Sequence, residues 1–249
     1  GKTMQITPPF GFQDIVPLHK TQGAKLPDGN TLPAFVQTTN AMPISYAEFA
    51  PACHDYPLVF VSSDQGKTFA AVAVLGLANG ENLFVSGGQW QPNVYVPAYV
   101  RRYPFCMARV NLDNQEQANR LICIEKAYVA EDGEKLFDEK GEATARWKGI
   151  EQLLREYEAD LERTREMCAI LADYQLFEPF TMQATPTGGT PMNLSGMYRV
   201  QESKLEHLNA AQHKNLYKKG MVGRVYAHLL SLANFGRLLN RRAQMPKAA

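Results

Sequence analysis

The chain lacks most of the features by which a function announces itself, and net charge is the first of them. Its 26 basic and 25 acidic side chains leave a formal charge of +1. A protein built for nucleic acid usually carries a clear basic excess, because phosphate neutralisation supplies most of its affinity. No nucleic-acid partner is therefore expected. Cysteine is also scarce. Cys53, Cys106, Cys123 and Cys168 are the only four in 249 residues, and none forms a C-x-x-C pair. That is too few for a disulfide framework in a chain of this length. Each lies in apolar or helical context, where a free thiol behaves as a small hydrophobe. Long apolar runs are missing too. The longest, 69–78, is about half of what a membrane-spanning helix requires. The stretch 221–239 is interrupted by Arg224, His228, Asn234 and Arg237. The opening residues Gly1-Lys2-Thr3-Met4 do not begin an apolar signal segment. These absences predict a soluble, cytoplasmic protein that does not insert into membranes.

Catalytic signatures are wanting as well. Gly66-Lys67-Thr68 imitates the end of a phosphate-binding loop, but the position five residues earlier, where that loop needs glycine, holds Val61. Cys53-His54-Asp55 has the residue types of a nucleophile, a base and an orienting acid. Consecutive side chains cannot bond in that order, and working triads assemble from distant segments. The five histidines, His19, His54, His207, His213 and His228, contain no H-E-x-x-H pair, and His207 and His213 do not share a helical face. No metal site and no cofactor are expected.

What is present is a clear change of character along the chain. The first 40 residues are broken by Pro8-Pro9, Pro17, Pro27-Asp28-Gly29 and Pro33, with short extended pieces expected at 14–18 and 34–38. Ser45 and Glu48 have the spacing of a capping box for a short helix over 45–52. Strands are predicted at 58–61 and 68–75 around the turn Asp64-Gln65-Gly66, then at 83–85, 105–112 and 121–125. From 144 to 173 the pattern turns helical. Trp147, Ile150, Leu154, Tyr157, Leu161, Thr164, Cys168 and Leu171 follow steps of three and four and form one stripe. Extended segments at 177–184 and 192–200, short helices at 202–208 and 210–217, and a final helix over 222–242 complete the pattern. Gly223, Ala227 and Ser231 predict close packing of that last helix against another. Arg237, Arg241 and Arg242 near its end complement its dipole. The expected class is α+β: a mostly antiparallel, β-rich N-terminal half packed with a long helix and a helical C-terminal region. It forms a single domain over 12–243, with a β-rich half at 12–125, a polar seam at 126–141, the long helix at 144–173, and a mixed then helical part at 174–243.

The densest chemistry lies in residues 90–105. Five aromatic side chains and the pair Arg101-Arg102 fall there, with Pro97 placed to open a short helix and Pro104 to end it. Guanidinium donors beside tyrosine hydroxyls suit recognition of a carboxylate or phosphate. The candidate ligand-binding residues are Trp90, Tyr95, Tyr99, Arg101, Arg102 and Tyr103, with His228 as a remote seventh. The competing reading is an aromatic plug fastened by the arginines. An enzyme built from His228, Arg102 and an acid such as Asp113 is a second possibility. A scaffold using the helix at 144–173 is a third.

Several stretches in order resemble one family. They are Met42-Pro43-Ile44 with Glu48-Phe49, Tyr56-Pro57-Leu58-Val59-Phe60, Gly76-Leu77 with Asn82-Leu83-Phe84, and Trp90 followed by Tyr95-Val96-Pro97-Ala98-Tyr99-Val100-Arg101-Arg102-Tyr103-Pro104-Phe105. Gly196-Met197-Tyr198-Arg199-Val200 and Ala227-His228-Leu229-Leu230-Ser231-Leu232 follow. Together they are similar to the SapC family of bacterial proteins, over about residues 12 to 242. The resemblance implies a bacterial origin and a link to surface-layer, envelope or uptake loci. It supplies no catalytic residue. The expected function is a non-enzymatic accessory or ligand-binding protein, with an anionic small molecule or peptide as ligand. A second copy of the chain or an envelope-related protein is the expected macromolecular partner.

Overall fold

The computed structural model describes residues 3–28, 32–185 and 188–245. The chain is α+β, with antiparallel sheets, one long helix and a set of C-terminal helices. It divides into two compact units. One comprises Gly1–Leu32 and Val100–Ala159, the other Pro33–Tyr99 and Asp160–Ala249. The helix Ala145–Asp173 contributes residues to both.

In the first unit the strands run in the order Met4–Thr7, Phe105–Leu112, Leu121–Glu125, Ile15–Pro17, every neighbour antiparallel. The turn after Leu112 is closed by Asp113 and Asn114, with φ of 51° and 64°. These two residue types tolerate the left-handed conformation that a tight hairpin requires. Successive side chains of a strand point to opposite faces, and both faces here are covered. On one, Phe105 and Ile124 meet Trp147 and Leu154 of the long helix, with Ala24 and Leu136. On the other, Cys106, Ala108 and Cys123 meet Phe12 and Ile15. Residues 126–141 belong to this unit. They include the strand Glu134–Lys135, which pairs with Gly23–Ala24, and the fully buried Leu136.

The second unit has its own five-stranded antiparallel sheet. Its order is Phe177–Ala184, Met192–Val200, Leu58–Val61, Ala70–Val74, Ala41–Pro43. The capping box at Ser45 and Glu48 forms as the spacing predicts, opening Tyr46–Glu48 and then Phe49–Ala52. The turn between Leu58–Val61 and Ala70–Val74 closes on the Asp64 carboxylate, which accepts from the Thr68 hydroxyl and from the main chain of Lys67 and Thr68. Those bonds hold the Asp64 pKa down at about 2. The Gly66-Lys67-Thr68 sequence thus wraps a carboxylate of its own chain.

Four local expectations are corrected. Residues 34–38 are not extended; Ala34–Gln37 is one helical turn after Pro33, and it buries Val36. Leu83 and Phe84 precede the strand Val85–Ser86, which pairs with Gln89–Trp90. The final helix is two, Met221–Ser231 and Asn234–Gln244. Between them the main chain tightens to bonds three residues apart, such as Leu232 to Leu229 and Phe235 to Leu232. This places the Asn234 side chain on the carbonyls of Cys53 and Tyr56. The packing expected of Gly223, Ala227 and Ser231 is also different. Gly223 has open space around it, while Ser231 is fully buried and bonds to Leu58 and to the carbonyl of His228. Among the described residues no helix is long and apolar enough to cross a membrane.

Candidate functional site

Residues 82–92 turn back on themselves to make one wall of a groove in the second unit. Asn82 fixes the start: its side chain donates to the Val36 carbonyl and accepts from the Phe84 amide. Gly87 and Gly88, with φ of 61° and 77°, make the two-residue turn between Val85–Ser86 and Gln89–Trp90. Both turn positions of this hairpin type need positive φ, which glycine adopts without steric cost. The opposite wall is the end of the helix Asn234–Gln244. The groove holds about 330 Å³ and is lined by Leu83, Phe84 and Trp90 on the apolar side, with Gln89, Gln91 and Arg241 among its polar groups.

Its floor is built of aromatic rings in mutual contact. Tyr56, fully buried, has its ring 4.6 Å from that of Phe84 and 6.4 Å from that of Trp90. The Trp90 indole N–H donates to the Tyr56 hydroxyl at 3.0 Å, and that hydroxyl donates to the Tyr95 carbonyl. Burial raises the Tyr56 pKa well above the usual phenol value, which keeps it a neutral donor. Trp90 and Phe84 lie nearly parallel, at 16°.

Arg241 supplies the charge. Its guanidinium carbon sits 4.1 Å from the centre of the Phe84 ring, and one of its nitrogens donates to the Gln91 side chain. Burial lowers its pKa, an effect opposed by Tyr56 and Asp55 and reinforced by Arg237. Its neighbours are engaged elsewhere. Arg237 donates to the His54 carbonyl at 2.8 Å, and Arg242 pairs with Glu81 at 3.4 Å. Among the described residues Arg241 makes no ion pair. A guanidinium carries five N–H donors in a fixed fork, so the groove presents a half-buried cation with donors to spare.

The predicted site residues separate. Trp90, Tyr95 and Tyr99 belong to the second unit, while Arg101, Arg102 and Tyr103 belong to the first. Trp90 lines the groove. Tyr95 is held through its hydroxyl by Glu48 at 2.7 Å and through its amide by Asp55 at 2.8 Å. Tyr99 is buried, edge-on to Phe35. Arg101 is exposed. Arg102 is buried between the rings of Phe12 and Tyr157, at 5.1 and 5.3 Å. Tyr103 donates to the buried Glu125 and packs on Phe12 and Tyr128. His228 is fully buried with both ring nitrogens on main-chain groups. Asp113 lies in the first unit and His228 in the second. Cys53 donates to the Ala50 carbonyl, and burial raises its pKa.

Arg241, Phe84 and Gln91 are groove residues that the sequence pattern does not single out as a site. The one available signal is Arg237 and Arg241, four apart on one helical face, a pairing that serves the helix dipole equally well. Among the described residues no group of three or more His, Cys, Asp or Glu could hold a metal ion.

No curated protein and no solved structure matches the chain. The SapC family model matches residues 19–238, almost the whole of both units, and the chain belongs to the SapC family.

Proposed function

We propose that this SapC-family chain is a non-enzymatic accessory protein that binds a ligand carrying one anionic group on an apolar body. The groove between residues 83–92 and the end of the helix Asn234–Gln244 is the binding site. Arg241 carries this reading. A half-buried guanidinium stacked on Phe84, with no carboxylate of its own chain paired to it among the described residues, favours an incoming anion. Trp90, Phe84 and Leu83 offer the apolar surface beside it. The setting we propose is cytoplasmic and linked to an envelope or uptake locus. Four free cysteines, three of them buried, support a reducing compartment.

The test uses tryptophan emission. Trp90 and Trp147 are the only two indoles, so Trp147→Phe leaves Trp90 as the sole reporter. Titration with N-acetylphenylalanine and N-acetylleucine is expected to change the emission, with their uncharged amides binding at least tenfold more weakly. Arg241→Gln is expected to abolish that preference. Equal binding of acid and amide, or no response up to the solubility limit, removes the groove as an anion site.

A further inference from the structure

We infer that the groove takes the C-terminal end of an extended peptide. This rests on the anion-binding reading above and deepens it. The additional observation is an open main-chain edge. In the hairpin, Gln91 N–H donates to the Phe84 carbonyl at 2.7 Å, and Ser86 stands opposite Gln89. In an antiparallel pair, hydrogen-bonded and non-bonded rungs alternate. Phe84 with Gln91 and Ser86 with Gln89 are the bonded rungs. Val85 with Trp90, between them, is the open one. The N–H and C=O groups of Val85 and Trp90 therefore point away from the hairpin, toward its two edges. Among the described residues no protein group bonds to them. Both residues line the groove.

Two kinds of recognition thus meet in one place. The edge offers a donor and an acceptor on the same residue, a pattern that another extended main chain reproduces. The groove also has a single guanidinium among its lining residues, that of Arg241. One cation suits a monoanion better than a phosphate, which gains from several. A peptide's terminal carboxylate carries its charge directly on the main chain, so the same short segment can pair with the edge and reach Arg241. Its last side chain then lies against Trp90 and Phe84. A volume of about 330 Å³ is near the small end for ligand sites, which suits a chain end. A small carboxylate satisfies Arg241 but leaves the edge to water.

The experiment uses the full chain with Trp147→Phe and a pooled bank of peptides. Their last four positions are randomised, and the bank is made once as free acids and once as C-terminal amides. The free-acid bank is expected to yield sequences with an apolar last residue. The best of these should bind at least tenfold tighter than its amide and at least tenfold tighter than the N-acetyl form of its last residue alone. Methylating its penultimate amide nitrogen should weaken binding by a similar factor. Arg241→Gln, checked for unchanged thermal unfolding, should lose the peptide. Suppose instead that N-acetyl amino acids bind as tightly as any peptide and methylation has no effect. The peptide inference then falls while the anion site stands. If neither bank nor the amino acids bind, both fall.

Discussion

The buried His228 makes stability depend on pH in a way that can be worked out from its bonds. The register of Met192–Val200 against Leu58–Val61 pairs Met197 with Val61 and Tyr198 with Phe60, so Val200 comes opposite Leu58. There the imidazole replaces the next rung. Val200 N–H donates to Nε2 at 3.0 Å, and Nδ1 lies 2.6 Å from the Leu58 carbonyl oxygen. An amide can only donate, so Nε2 is unprotonated and Nδ1 carries the hydrogen. The ring also meets Phe60 edge-on at 4.9 Å. Protonating Nε2 would break its bond and bury a charge. Desolvation accordingly lowers the His228 pKa to about 4 from 6.5, with Arg199 adding to the fall and the Leu58 bond opposing it.

The sign follows from which state binds the proton. As pH falls through 6.5 the unfolded chain protonates at this position and the folded chain does not. The contribution is complete above pH 6.5 and is lost as pH falls toward 4. Each pH unit separating the folded from the unfolded pKa is worth about 1.36 kcal/mol. The full loss is therefore about 3 kcal/mol, and roughly 2 kcal/mol of it falls between pH 7 and pH 5. For a chain of this size that corresponds to a drop in Tm of about 4–8 °C. His228→Gln retains a donor and an acceptor but does not titrate. Thermal unfolding of both proteins from pH 7.5 to 5 isolates the effect, because every other titrating group is common to them. The Asp64 carboxylate works in a separate window, below 3.8. Parallel Tm curves for the two proteins would refute the reasoning. So would an NMR titration of the folded protein placing this imidazole near pH 6.5.

Two further substitutions test the frames on which the units are built. Glu48 is buried and accepts from the Ser45 amide and hydroxyl, the Tyr95 hydroxyl and the Ala98 amide; Glu48→Ala strands these donors and is expected to cost at least about 3 kcal/mol in urea unfolding. Arg102→Ala empties the space between Phe12 and Tyr157 and is expected to cost roughly 2–4 kcal/mol, with groove binding unchanged in whatever fraction remains folded.

The sequence is a good guide where one segment carries its own signal. The strands Phe105–Leu112 and Leu121–Glu125 and the helix Ala145–Asp173 lie within a residue of their predicted limits, because apolar and β-branched runs, and a stripe sustained over many turns, are local facts. The capping box at Ser45 and Glu48 is local too. What is not legible is what those residues do at a distance. Ser45 also bonds the buried Asp160, at the middle of the long helix, and Glu48 fixes Tyr95 and Ala98 some 50 positions on. Short elements are hard to read for the opposite reason. One helical turn at Ala34–Gln37 has too few residues to show a period, and the break between Met221–Ser231 and Asn234–Gln244 involves no proline.

The candidate site shows the same division most plainly through two arginines. Arg102 stands in the aromatic segment that dominates the sequence pattern, and Arg241 stands in a helix end that does not. Arg102 is only 5% exposed, with two rings beside it. Removal from water beside two rings, with one nitrogen donating to the Phe105 carbonyl, commits this guanidinium to the core. Arg241 has a ring on one side only and a glutamine at one nitrogen, which leaves an open face and edge donors at the groove. Burial is thus what makes Arg102 structural, and composition does not show burial. An arginine able to meet a ligand needs one supporting ring and an open side. Here its partner Gln91 is 150 positions away along the chain, so no spacing rule joins the two. The segment 90–105 still points to the site, through Trp90 at its first residue, where the aromatic run reaches the surface.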